Sequence, residues 1–317
     1  MRPVRILVVA LVIAAVGYFA VAGWLASRAL TSIVTVGGAL AALELQEERP
    51  LDSNYRGDPG KAFGLAFEDV TIDTELGPSP AWVVPGRNAA PGELWLVYAH
   101  GIAGRRENGF KVLSVAAELG IPSVLFAYRN DEGAPASPAG IYGFGVAEWR
   151  DLEAAVALAE ARGAKRLILA GDSMGGAIIG EFLGRSPKAA MVVALALDSP
   201  ALDIRKVVEG LTARMGFPLA GGVAFAARTL MGYRLPVDFS DAVTLGTVAA
   251  FAGPVFLAHG ARDGIVPIAV GDELVARRVA PTTYLRTNAD HIVSWQENPD
   301  LYRGLLETFL RGAAGKP

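Results

Sequence analysis

Six short apolar runs constrain what this chain can fold into: Leu94–Ala99, Ser123–Tyr128, Arg166–Gly171, Val192–Leu197, Pro254–Ala258 and Thr282–Arg286. Runs this brief and this continuously apolar suit strands covered on both faces, the condition of a parallel sheet. Their starts lie 29, 43, 26, 62 and 28 residues apart, and a strand–helix–strand unit takes about 30 residues. Helical patterns fill the gaps. Trp149, Leu152, Val156 and Ala159 share a helical face, with Gly163 where a C-cap belongs. Asn298-Pro299-Asp300 opens a last helix that carries Leu301, Leu305 and Phe309 on one face. Upstream, Leu65–Ile72 and Ala81–Val84 read as an antiparallel pair joined through Leu76-Gly77-Pro78. The expected class is α/β, a mostly parallel sheet flanked by helices.

The 62-residue gap holds roughly one helical pair more than a crossover needs. The surplus, residues 203–252, contains Val207, Leu211, Met215, Phe217, Phe225, Leu230, Met231 and Tyr233. It follows a strand end, where open sheets of this kind bind ligands. We therefore expect a small helical cap, with Met215, Phe217 and Phe225 facing the site; an ordinary packed helix pair is the alternative.

The chain begins differently. Ile6 to Ser27 is an uncharged, mainly apolar stretch of 22 residues, long enough as a helix to cross a hydrocarbon core of about 30 Å. Arg2 and Arg5 precede it, which places the N-terminus in the cytoplasm and the remainder outside. The expectation is a transmembrane signal anchor over 1–28, with a single-pass protein whose main domain is extracytoplasmic. A signal peptide cleaved at Ala20-Val21-Ala22, giving a secreted protein, is the second reading; a buried core helix is the third. Ala29–Leu43 is uncharged too and either extends the helix or lies at the interface. Glu44–Pro59 is charged and turn-rich, so 29–60 reads as interfacial segment and linker.

Composition removes several chemistries. With 52% hydrophobic and 19% charged residues the chain is too apolar for disorder. A net charge of −3 leaves no basic excess for a nucleic-acid partner held by its phosphates. The absence of cysteine rules out disulfides, thiolate metal sites and a cysteine nucleophile. Only His100, His259 and His291 are available for histidine chemistry, and three scattered histidines make a poor metal cage. No phosphate-binding or dinucleotide fingerprint follows a strand, so no cofactor and no metal are implied.

Gly171-Asp172-Ser173-Met174-Gly175 fits G-x-S-x-G, directly after a predicted strand and before a helical stretch. A strand turning at once into a helix holds its serine exposed in strained backbone, and side chains two positions either side would collide. A serine hydroxyl needs a base, and the base an orienting acid. His259-Gly260-Ala261-Arg262-Asp263 follows the fifth run and Asp290-His291 the sixth, so Ser173, Asp263 and His291 all fall at the same sheet edge. Asp198, after the fourth run, is a competing acid. His100-Gly101-Ile102-Ala103-Gly104 ends the first run, where the Ile102 amide can join that of Met174 as an oxyanion hole. His100 and His259 read as loop supports, Asp172 and Asp290 as bystanders, Arg105 and Arg106 as a solvated helix start, and Trp295 as packing.

This layout resembles the α/β-hydrolase superfamily, and among its members the membrane-anchored bacterial serine hydrolases. The likeness spans about residues 62–312 and rests on the His-Gly loop, Tyr128-Arg129-Asn130, the Gly-Asp-Ser-Met-Gly-Gly elbow, the His-Gly-x-x-Asp-x-x-Val-Pro loop and the terminal histidine. It implies an α/β-hydrolase core over 61–202 and 253–312, with 203–252 as the cap. It further implies a Ser173–His291–Asp263 triad that cleaves a small-molecule carboxylic ester through an acyl-enzyme. A peptidase or thioesterase with the same triad, or a catalytically idle membrane-tethered binding module, are the alternatives. The oxyanion loop is His-Gly-Ile-Ala-Gly rather than His-Gly-Gly-Gly, so acyl preference does not carry over; short or medium chains are expected.

Overall fold

The near-continuous apolar runs do become sheet strands, in an order that brings their C-terminal ends to one edge. The structure is a computed structural model describing residues 2–38, 49–52, 55–87, 93–239 and 242–315. Strands β1 (Glu68–Thr74) and β2 (Gly77–Val84) form a hairpin, followed by β3 (Leu94–Ala99), β4 (Ser123–Phe126), β5 (Arg166–Asp172), β6 (Val192–Asp198), β7 (Val255–Gly260) and β8 (Thr282–Thr287). The sheet order is β1-β2-β4-β3-β5-β6-β7-β8. The hairpin pairs antiparallel with β4, and every pairing from β4 through β8 is parallel. The hairpin starts at Glu68 rather than Leu65, and Gly77 opens its second strand at φ 127°, a conformation closed to most side chains. β4 stops at Phe126, two residues short of its predicted end, because Tyr128 opens a turn in which its carbonyl accepts from the Asp131 amide at 3.1 Å.

Helices cover both faces: α2 (Pro59–Phe63), α3 (Phe110–Glu118), α4 (Trp149–Ala161), α5 (Met174–Arg185), α6 (Ile204–Arg214), α7 (Ala220–Arg234), α8 (Leu245–Ala250), α9 (Ala269–Arg277), α10 (Ser294–Glu297) and α11 (Pro299–Ala313). Two apolar clusters, one on each side, enclose the sheet. α4 buries Leu152, Val156 and Ala159 as its pattern predicts, and Gly163 beyond it takes φ 103°. α11 is capped by Asn298, whose side chain accepts from the Leu301 amide. Its buried face is Tyr302, Leu306, Phe309, Leu310 and Ala313, whereas Leu301 is exposed. The predicted Leu301–Leu305–Phe309 stripe is thus rotated by about one position, because Tyr302 is drawn inward to bond Asp198 at 3.4 Å.

Within 203–252, α6 and α7 pack on each other, while α8 packs against α5 and α9 of the core. The helical pair above the strand ends is therefore α6 and α7. α1 (Arg2–Val34) runs past the predicted anchor boundary by several residues. Residues 3–17 are exposed all round, but Ala22, Ala26, Leu30 and Val34 are buried, an i, i+4 face laid against α7. The contact is close: a β-carbon on Gly23 would lie 2.5 Å from that of Ala226, and one on Gly222 would lie 2.4 Å from the Phe19 ring. Past the helix, Thr35 pairs with Ile141 as an isolated β-bridge, and the Val36 amide bonds the Gly140 carbonyl at 3.1 Å. Of the predicted linker, 39–48 and 53–54 lie outside the described residues.

Candidate active site

Ser173 sits between β5 and α5 with φ 52° and ψ −117°. That is a left-sided conformation an L-residue adopts only when its surroundings enforce it. The surroundings here are the flanking glycines. A β-carbon on Gly175 would stand 2.0 Å from the Ala99 carbonyl oxygen, and one on Gly171 would lie 2.8 Å from Ile179 Cδ1. With no side chains there, α5 can start directly under the strand end.

The three residues expected at one edge meet. Ser173 Oγ lies 2.9 Å from His291 Nε2, and His291 Nδ1 lies 2.8 Å from Asp263 Oδ2. With the Nδ1 proton facing the carboxylate, Nε2 is the acceptor for the serine hydroxyl. Asp263 is held in turn by the Ile265 and Val266 amides, both 2.8 Å from its Oδ1. Burial alone would raise the Asp263 carboxyl, but hydrogen bonds from His259 and His291 outweigh it and hold the group well below the usual carboxylate range. A permanently ionised acid behind the imidazole is the arrangement that stabilises an imidazolium when Nε2 takes a proton.

The competing acid is excluded from this chain of contacts by geometry. Asp198 and Asp172 are neighbours across β5 and β6, and both point below the elbow. Lys111 Nζ sits between them, 3.2 Å from one oxygen of each, and also donates to the Ile292 carbonyl at 3.2 Å. Tyr98 donates to Asp172 at 2.8 Å. Burial opposes the Lys111 charge, but the two carboxylates prevail and raise its affinity for the proton. Asp172 is therefore part of a buried polar cluster that braces the elbow from below. Asp290 likewise ties two loops together, its Oδ1 accepting from the Gly264 amide at 3.1 Å and its own neighbour His291 at 2.8 Å. Sequence reasoning missed Lys111 entirely: a lone lysine in an amphipathic helix carries no signal until the sheet register sets two aspartates opposite it.

His100 stacks on Tyr128 with ring centres 4.2 Å apart. Its Nδ1 meets the Gly101 carbonyl and its Nε2 meets Asp131, each at 2.9 Å. Both partners are acceptors, so burial, which lowers the affinity of His100 for its proton, is outweighed by Asp131 and the net direction is upward. His100 thus holds the loop that carries Ile102. That loop passes close to the serine, since a β-carbon on Gly101 would lie 3.1 Å from Ser173 Cβ. Among the described residues neither the Ile102 nor the Met174 amide has a hydrogen-bond acceptor, which leaves both able to donate. Arg106 lies over the Trp82 ring at 3.9 Å, away from Ser173, whereas Arg105 borders the cleft. Trp295 packs in the cluster on the α11 side.

The cleft above Ser173 has a volume of about 280 Å³ and is walled by Ile102, Phe144, Val207, Leu211, Ile265 and, from α1, Ile33. Met215, Phe217 and Phe225 do not border it. α6 turns Val207 and Leu211 to the site, which leaves Met215 at the outer end of the helix and Phe225 on the far side of α7, 66% exposed.

No protein-family model matches the chain. The sequence is 24% identical over 275 residues to the uncharacterized protein YfhR of Escherichia coli, covering 83% of this chain and 86% of the relative. It is 28% identical over 223 residues to an uncharacterized protein of Mycobacterium tuberculosis, covering 69% and 70%. Among solved structures, esterase Pf2001 of Pyrococcus furiosus superposes with a TM-score of 0.63 at 20% identity, covering 81% of this chain and 94% of that one. The chain is an α/β-hydrolase fold. Two further solved structures agree in architecture. Est1E of Butyrivibrio proteoclasticus, solved with ferulic acid, has a TM-score of 0.60 at 16% identity over 78% of this chain and all of that one. XC6422 of Xanthomonas campestris, described as a serine hydrolase without a lid, has 0.52 at 20% identity over 77% and 94%.

Proposed function

We propose that the protein is a membrane-anchored serine hydrolase that cleaves carboxylic esters. The observation that carries this is the unbroken hydrogen-bonded chain from Asp263 through His291 to Ser173 at a strained elbow. His291 takes the hydroxyl proton as Ser173 Oγ bonds the ester carbonyl carbon. The Ile102 and Met174 amides receive the negative charge that forms on the carbonyl oxygen. When the carbon–oxygen bond to the alcohol breaks, His291 returns the proton to the departing alcohol. Water then attacks the acyl-enzyme with His291 again as base, releasing the carboxylic acid and restoring Ser173. The esterases among the structural neighbours support this reading of the fold.

A fluorophosphonate reagent should label the full-length protein and leave Ser173→Ala unlabelled. Equal labelling of both would refute the assignment, and no labelling of either would favour the idle binding module.

The anchor reading rests on α1, whose segment Pro3–Val34 is, among the described residues, the one helix long and apolar enough to cross a membrane. Contacts to α7 come from both sides of Ala22, through Phe19 and Gly23, so cleavage there would strip away part of a packed interface. The protein should stay with cell membranes through an alkaline carbonate wash, and its folded domain should be open to protease added from outside. A released protein starting at Gly23, or a domain protected from that protease, would contradict the placement.

A further inference from the structure

Three apolar hollows run in series from Ser173 to the outer surface of α1. The first is the cleft described above. The second, about 240 Å³, shares Ile33, Phe144, Val207 and Leu211 with it as common walls. Leu30, Val34, Val208 and Met231 enclose the rest, and Arg228, Thr229 and Asp238 add polar atoms to its border. The third is an open groove between α1 and α7, bounded by Val16, Phe19, Trp24, Gly222, Phe225 and Leu230. It meets the second hollow at Phe225 and Thr229. The surfaces around the groove are apolar and bare: Val16 is 63%, Phe225 66% and Leu219 71% exposed. They continue the exposed apolar surface of residues 3–17. A bare apolar surface of this extent marks a binding face, and here it adjoins α1, a helix long and apolar enough to cross a bilayer.

We propose that this series is the path of an acyl chain, and that the substrate is a long-chain ester of the membrane itself. The chain enters from the bilayer along the α1–α7 groove, fills the second hollow and sets its ester carbonyl at Ser173. α1 then serves both as anchor and, through Leu30, Ile33 and Val34, as one wall of the acyl site. The proposal rests on the serine-hydrolase and anchor readings above, and replaces the short-chain expectation. Its size follows from the hollow. A cavity of about 150 Å³ lined this way holds benzene, so the second hollow has room for about ten carbons beyond those in the cleft. Each methylene it buries multiplies transition-state binding by about fourfold until the space ends.

The test uses the full-length protein in detergent micelles, with p-nitrophenyl dodecanoate and p-nitrophenyl acetate as probes. The kcat/KM ratio of the long to the short ester should be about 100 or more. Ile33→Trp narrows the passage between the first two hollows. Gly232→Phe sets a ring at the border of the second, where a β-carbon finds no atom within 4 Å, and loss of a mid-helix glycine favours α7. Each should lower the ratio at least tenfold while Ser173 still reacts with a fluorophosphonate. If Ile33→Trp fails to label, Gly232→Phe decides. A wild-type preference for acetate, or a ratio unmoved in labelled variants, overturns the acyl path while leaving the serine hydrolase standing. Turnover of neither ester by the wild type overturns both.

Discussion

Ser173→Ala is expected to lower kcat for a chromogenic ester on the order of 10⁶-fold, and adding His291→Ala should lower it no further. On the proposed roles nucleophile and base act as one unit, joined by a 2.9 Å hydrogen bond, so removing either removes the same step. The same proposal leaves both variants the catalysis supplied by the Ile102 and Met174 amides and by the cleft, an expected remainder of about 10³-fold over water. Steady-state assays of the two single variants and the double variant check this. Independent, multiplying losses would mean that His291 does not act through Ser173.

The second large effect is on stability. Lys111→Met should destabilise the protein by about 3–5 kcal/mol at pH 7, the cost of leaving buried charge without its partner. Asp172 and Asp198 would then face each other without the cation that now lies 3.2 Å from each. Burial already raises the Asp172 carboxyl above its ordinary range, and loss of Lys111 raises it further. A group whose affinity for protons is higher folded than unfolded stabilises at low pH and loses that contribution as pH rises. The deficit should therefore shrink as pH falls from 7 towards 5, because one carboxyl takes a proton and then donates a hydrogen bond to the other. Thermal unfolding of both proteins in detergent across that range measures it. A deficit that stays constant or grows on acidification would mean that packing of the lysine stem, not its charge, is what the cluster needs.

The parallel sheet was legible because its strands are buried on both faces, which leaves no polar interruption in runs such as Leu94–Ala99. The serine elbow was legible because its glycines answer to one steric demand. Asp263 and His291 could be placed because loops after adjacent parallel strands open on the same edge. What the sequence could not disclose depends on facing partners. The burial of Lys111 follows from the Asp172–Asp198 register. The role of Phe225 depends on what covers α7. With that helix read as a cap underside, Phe225 belongs in the site; with α1 packed along it, Phe225 is turned to the groove instead. Nothing in an uncharged stretch of 22 residues distinguishes a helix surrounded by lipid from one that also wedges its end into the folded domain.

That wedge fixes a height. α1 is about 50 Å long at 1.5 Å per residue, some 20 Å more than a hydrocarbon core, and the surplus is spent against α7 and the Ile141 bridge. An enzyme hung on a pliant tether samples a hemisphere of solution. On the proposed reading of α1 as a membrane anchor, a domain clamped to it at Thr35 holds its mouth at a constant depth relative to the lipid surface. Its encounters become a two-dimensional search: molecules that diffuse laterally at that level meet Ser173, while dissolved ones must first partition. Lengthening the junction between Val34 and Thr35 would trade that planar catchment for a larger but dilute volume.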